Sequence, residues 1–183
     1  PSAKLELARA YRKLGRQRLA VPILVPLSES SPNREILDDA SMLKVIGTVL
    51  PATFAMGDYS DTVAGVTLGS PTTAGNITGN AGAVLTSASD FDLQFGTISA
   101  RLAGPVGLNK TTTRDVTLSN TGNTFTGPTV ISDGTLRING DGCLGIPPAA
   151  PTAGHLIIDG GRLEVTASMT LSPSRGISIG TSM

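Results

Sequence analysis

The chain has no tryptophan, one cysteine, and aromatic side chains at only 3% of its 183 residues. Each shortage excludes something. Without large rings a core has to be filled by Val, Ile, Leu and Ala, which favours thin, regularly stacked structure over one thick core. A lone cysteine, Cys143, rules out an intrachain disulfide. No stretch approaches about 18 consecutive apolar residues, so no membrane-spanning helix is predicted. Formal net charge is zero, so no strong field draws the chain to nucleic acid or to an anionic membrane. Glycine is plentiful at 22 residues and proline adds 12, so turns are frequent.

The charge balance hides a split. Residues 1–50 hold 8 Lys+Arg against 5 Asp+Glu, and residues 51–183 hold 6 against 9. The first fifty residues also follow a helical period. Leu5, Ala8, Tyr11 and Leu14 share a face, Ser2 stands where a cap belongs, and Gly15 ends the run. A second helix is predicted from Asn33, with Ile36, Leu37, Ala40, Leu43 and Ile46 on one face and Gly47 and Pro51 closing it. Pro22 and Pro26 lie between the two, where each removes an N–H donor. Arg9, Arg12, Lys13, Arg16 and Arg18 form a basic face, read as solvated. The apolar run 19–27 carries two prolines and no small-residue cleavage site, so it is not read as a secretory leader. The chain is read as a piece of a longer or processed protein, with any export signal outside it.

Past Pro51 charged residues thin out and Thr, Ser, Gly, Asn, Val, Ile and Leu take over. Short runs at 63–68, 90–94, 97–102, 115–118, 128–131, 135–138, 155–158, 162–165 and 177–179 have the length and boundaries of strands. Such runs fit either an antiparallel sandwich or a solenoid. The phrase Gly-Thr-Leu-Arg-Ile at 134–138 is echoed as Gly-Arg-Leu-Glu-Val at 161–165, with a looser echo at 96–100. Self-similar strands separated by similar turns favour stacked rungs. The predicted fold class is mainly β: a parallel solenoid over 61–183, a linker over 51–60, and a short N-terminal α-helical segment over 1–50.

Two resemblances follow from the residues. The run from Leu108 through Lys110, Thr117-Leu118-Ser119, Asn123-Thr124-Phe125, Gly127 and Gly134-Thr135-Leu136 resembles the autotransporter-associated β-strand repeat. Arg114-Asp115 stands where that repeat usually has Gly-Thr, and Phe125 where it has Tyr. The likeness covers about residues 85–145, with Asn139 to Gly145 similar to the family's exit turn. It implies a right-handed parallel β-helix in the passenger region of large exported bacterial proteins, with no catalytic residues to carry over. Ala8, Tyr11, Gly15, Ala20, Leu24 and Pro32 over 1–34 resemble a tetratricopeptide repeat, departing from it at Pro22, Pro26 and Leu27. That likeness implies a helical hairpin that docks on other proteins.

Residues with chemical potential are few. His155 is the one histidine and is read as a turn-edge surface residue, because a triad needs partners that sequence does not place. Cys143 sits in a glycine-rich turn without an adjacent cation to activate it. Asp90 and Asp92 are spaced like paired carboxylates of β-helical enzymes but are read as solvent-facing. Asn139-Gly140-Asp141-Gly142 is one short turn, too few oxygens for calcium. Gly65 and Gly69 lack the Gly-Lys-Ser/Thr of a phosphate loop. No catalytic, cofactor-binding or metal-ligating residue is assigned. The expected role is a structural scaffold, stalk or filament component at the bacterial cell surface or outside it. Its expected partners are other subunits or further repeats of the same protein, and not nucleic acid. The alternatives are an interaction adaptor using the N-terminal helices and, behind it, a carbohydrate-active β-helix enzyme.

Overall fold

A strand of three or four residues cannot bury a face alone, so strands this short persist only when stacked on like neighbours. The computed structural model describes residues 42–46 and 50–180. The helices predicted over 1–41 and the tetratricopeptide-like segment lie outside these residues. The chain runs through β1 (Met42–Val45), β2 (Ala52–Ala55), β3 (Asp61–Val63), β4 (Gly65–Leu68), β5 (Gly75–Thr78) and β6 (Val84–Ser87). Next come β7 (Phe91–Leu93), β8 (Gly96–Ile98), β9 (Arg101–Gly104), β10 (Leu108–Lys110), β11 (Asp115–Leu118) and β12 (Thr124–Phe125). Last are β13 (Thr129–Ile131), β14 (Thr135–Ile138), a 3-10 turn at Asp141–Leu144, β15 (Thr152–Ile158), β16 (Arg162–Val165) and β17 (Arg175–Ile179).

These strands build three walls. The first stacks β1-β4-β7-β10-β13-β15-β17, the second β2-β5-β8-β11-β14-β16 and the third β3-β6-β9-β12. Every ladder is parallel. The chain is therefore a parallel β-solenoid of about 6 turns, and the sandwich alternative is excluded. Successive coils advance by as few as 17 residues, as between Asp90 and Gly107, and by as many as 27, as between Arg137 and Glu164. The slack is taken up in the corners.

The pleat points alternate residues inward. In the first wall one inward ladder reads Leu43, Val66, Phe91, Leu108, Thr129, Leu156, Ile177. The other reads Val45, Leu68, Leu93, Lys110, Ile131, Ile158, Ile179. In the second wall Phe54, Ile77, Ile98, Leu118, Ile138 and Val165 align. Phe91 and Phe125 meet inside the coil with ring centroids 5.9 Å apart, the tilted geometry aromatic pairs prefer. Along the second wall two glycines pair, Gly96 with Gly75 of the preceding coil. Gly96 has φ 133°, and a β-carbon there would lie 1.8 Å from the Gly75 carbonyl oxygen, so only glycine fits.

The echo between 134–138 and 161–165 is a register: Leu136 pairs with Leu163 and Ile138 with Val165 on adjacent coils. The looser echo at 96–100 is displaced. Gly96 aligns with Val116, and Val116 with Leu136, so Gly96 occupies the level of Leu136 and not of Gly134. Two runs read as single strands are bent at corners: 63–68 divides at Ala64, and 97–102 divides at Ser99 and Ala100. Helical periodicity was misleading at the end of the first segment. Leu43 and Ile46 were expected on a helix, yet Met42–Val45 is a strand. Leu43 and Val45 alternate inward and Lys44 outward, and parallel pairing with β4 overrides the local period. The expected 51–60 linker contains β2, and the coil begins before residue 61.

Candidate functional site

The turn Asn139-Gly140-Asp141-Gly142 leaves β14 and diverts the chain into the 3-10 turn, which drives Cys143 and Leu144 into the interior. This excursion takes the place of a third-wall strand after β12. From two coils further along the chain, Arg175 at the start of β17 reaches back to it. Its side chain is only 1% exposed. Nε donates to Asp141 Oδ1 at 2.8 Å, Nη1 to the Leu144 carbonyl at 3.0 Å, and Nη2 to the Gly145 carbonyl at 2.5 Å. Nη1 also lies 3.4 Å from His155 Nδ1. Arginine only donates, so in this contact Nδ1 is the acceptor. The ring's Nε2 is buried without a partner.

Chemically this is a clamp. A planar guanidinium spends its donors on the Asp141 carboxylate, on the carbonyls of Asp141, Leu144 and Gly145, and on the His155 ring. Asp141 also accepts from the Ser172 backbone N–H at 3.1 Å, so the carboxylate of this turn is committed to protein donors. Among the described residues no group of three or more His, Cys, Asp or Glu is arranged to hold a metal. His155 corrects the sequence reading: it is 6% exposed, not a surface residue. It faces the arginine and not the carboxylate, so Asp141 does not orient the imidazole as a triad acid would. Cys143 donates from Sγ to the Leu118 carbonyl at 3.3 Å and to Asn139 Oδ1 at 3.0 Å. Burial pushes its thiol up, with hydrogen bonding at Asn139 and Gly140 partly offsetting this.

Asp90 and Asp92 brace neighbouring coils on the outside of the first wall. Asp90 accepts from the Gly107 N–H at 2.7 Å and Asn109 Nδ2 at 3.3 Å, and Asp92 from Gln94 Nε2 at 2.7 Å and Thr111 Oγ1 at 2.9 Å. Gly65 and Gly69 flank β4 within the same wall, where Gly69 N–H donates to the Val45 carbonyl. The basic face of Arg9, Arg12, Lys13, Arg16 and Arg18 lies outside the described residues.

Two polar residues of the interior escaped the sequence reading. Lys110 is fully buried in an otherwise apolar ladder, between Leu93 and Ile131. Its Nζ donates to the carbonyl of Thr112, to Thr112 Oγ1 at 3.4 Å and to the Asp133 carbonyl at 3.2 Å. Burial lowers its pKa, and the carboxylates of Asp133, Asp115 and Asp92 oppose that. Asn123 is 5% exposed. It accepts from the Leu102 N–H and donates to the Cys143 carbonyl, each at 2.9 Å, so one amide joins three coils. The signal for Lys110 was present in Leu108-Asn109-Lys110, where strand alternation points the lysine inward. Asn123 had no such signal, because its partners lie 21 and 20 residues away.

Comparison with known proteins adds no relative: no protein-family model, no curated protein and no solved structure matches this chain. Among the described residues no helix is long and apolar enough to cross a membrane.

Proposed function

We propose that this chain is a structural β-solenoid segment, a scaffold, stalk or filament part of a bacterial cell-surface or secreted assembly, and not an enzyme. The observation that carries the reading is the use made of its reactive side chains. The carboxylates of Asp90, Asp92 and Asp141 are taken up by donors from the next coil or from the clamp. Cys143 and Lys110 are sealed inside. What remains outside is a polar surface of Thr, Ser and Asn on stacked rungs, and rungs bonded only to neighbours make a stiff rod. The likeness to the autotransporter-associated repeat over 85–145 supports export, since that repeat belongs to passenger proteins. The test is protease accessibility on intact bacteria producing the protein. Cleavage without lysis is expected; cleavage only after lysis overturns the surface reading. The partners fit the same picture as further coils or other protein subunits.

A further inference from the structure

His155 meets Arg175 at a point where a second cation would have to share one carboxylate. Arg175 Nη1 lies 3.4 Å from His155 Nδ1. The guanidinium already pairs with Asp141, at 2.8 Å from Nε and 3.3 Å from Nη2. Both His155 and Arg175 are buried. β13, alongside β15, brings Thr129, Val130 and Ile131, and the segment leading into β17 brings Ser172 and Ser174; none of these carries charge. Cys143, on the same turn as Asp141, directs its thiol to Leu118 and Asn139.

The ring stands on an irregular stretch of chain. The register between β15 and β17 shifts between Thr152 and Leu156, Gly154 has φ 69°, and residues 149–153 are exposed. Pro147, Pro148 and Pro151 bring no N–H to tie this loop down. Arg175 is fixed by contrast, because it also donates to the carbonyls of Leu144 and Gly145.

We propose that His155 is an acid-released latch. As an acceptor for Arg175, the ring holds residues 146–155 against the coil. Protonation puts an N–H on both ring nitrogens, so Nδ1 no longer accepts, and two buried cations then face each other with one carboxylate to balance them. Of the two, the ring is the one that moves out to water, since the guanidinium stays bound to the turn. The start of β15 and the loop before it go with the ring. Histidine is the side chain that ordinarily changes charge between pH 5 and 8, and the chain has a single histidine, so the release is assignable to one residue. The proposal goes beyond the scaffold reading and does not depend on where the protein resides.

Hydrogen exchange of the 183-residue chain tests it, read by mass spectrometry at about pH 7.5 and about pH 5, either side of the ordinary imidazole value. Labelling times are scaled to the intrinsic exchange rate. Protection of residues 146–155 is expected to fall by about tenfold or more at the lower pH, while β13 and β14 keep theirs. His155→Gln offers Arg175 an acceptor that does not titrate, and is expected to keep 146–155 protected at both pH values. In the parent chain, NMR of the one imidazole gives a second readout, and its titration is expected to track the loss of protection. Equal protection of 146–155 at both pH values, an equal loss in β13 and β14, a His155→Gln variant that loses protection as the parent does, or an imidazole titration that does not track the loss each overturns the proposal.

Discussion

The middle coils and the last coil are built from the same ladders, yet they do different things. Phe91, Leu118 and Ile138 are closed off above and below and are 0–1% exposed. Ile177, on the Phe91 ladder, and Val165, on the ladder of Leu118 and Ile138, are 51% and 46% exposed. In the middle, an apolar residue is stability; at the end, it is surface. The difference lies in what is stacked on each residue, since the residue types are alike. Polar side chains divide the same way. Lys110 and Asn123 in the middle are braced by neighbouring coils, and Arg175 near the end secures the 3-10 turn that stands where a third-wall strand would follow β14.

Substitution at both ends of a ladder breaks or sharpens this contrast. The largest effect is expected at Phe91→Ala, which removes a fully buried ring and its partner contact with Phe125. A loss of about 3–5 kcal/mol in chemical denaturation is expected, and a loss below about 1 kcal/mol shows that the coil interior is loosely packed.

Next is Arg175→Ala. Removing one member of a buried pair strands the other. Asp141 retains some exposure, so the expected cost is about 3 kcal/mol, at the low end for such losses. Limited proteolysis within 145–151 is expected to quicken before global unfolding. Cleavage unchanged from the parent rules out the clamp.

Lys110→Met keeps the volume and removes the charge, so stability at neutral pH is expected to shift by no more than about 1 kcal/mol. The informative quantity is its alkaline profile. Burial lowers the folded pKa of Lys110, so the unfolded chain holds the proton at pH values where the folded one has released it. Stability then rises with pH between those two pKa values. Cys143 acts in the opposite direction, because its folded pKa is raised and stability falls as the unfolded thiol ionises. Thermal melts in a Cys143→Ser background are expected to show the lysine's rise alone, and adding Lys110→Met is expected to flatten it. A rise that persists without Lys110 assigns it to another group.

The smallest effect is expected at Ile179→Ala. It is expected to change stability in chemical denaturation by less than about 0.5 kcal/mol, as surface substitutions do. A larger loss means that the end is packed after all, and the contrast with Phe91 then collapses.

Much of the coil was legible in the chain itself. Period-two alternation and turn punctuation marked β7, β11, β13, β14, β15, β16 and β17, and the Gly-x-Leu echo turned out to be a rung-to-rung register. β2 escaped because it lay in the expected linker, and β5, β6, β10 and β12 were not marked as strand runs. Alternation also hid the corners, since an inward residue on each side of Ala64 reads like one continuous strand. Met42–Val45 carried a helical period and became a strand because a parallel neighbour was available.

The local pattern of apolar, glycine and hydroxyl residues by itself determined that the chain past Pro51 would form many short strands, and the echoed phrases favoured stacked coils over a sandwich. Only the tertiary structure decided which residues would meet across coils. That is why His155 is buried against Arg175, why Asp141 faces an arginine, and why Lys110 lies inside the first wall. Contacts that span 20 or more residues depend on how much chain each corner absorbs, and corner length is a property of the assembled coil.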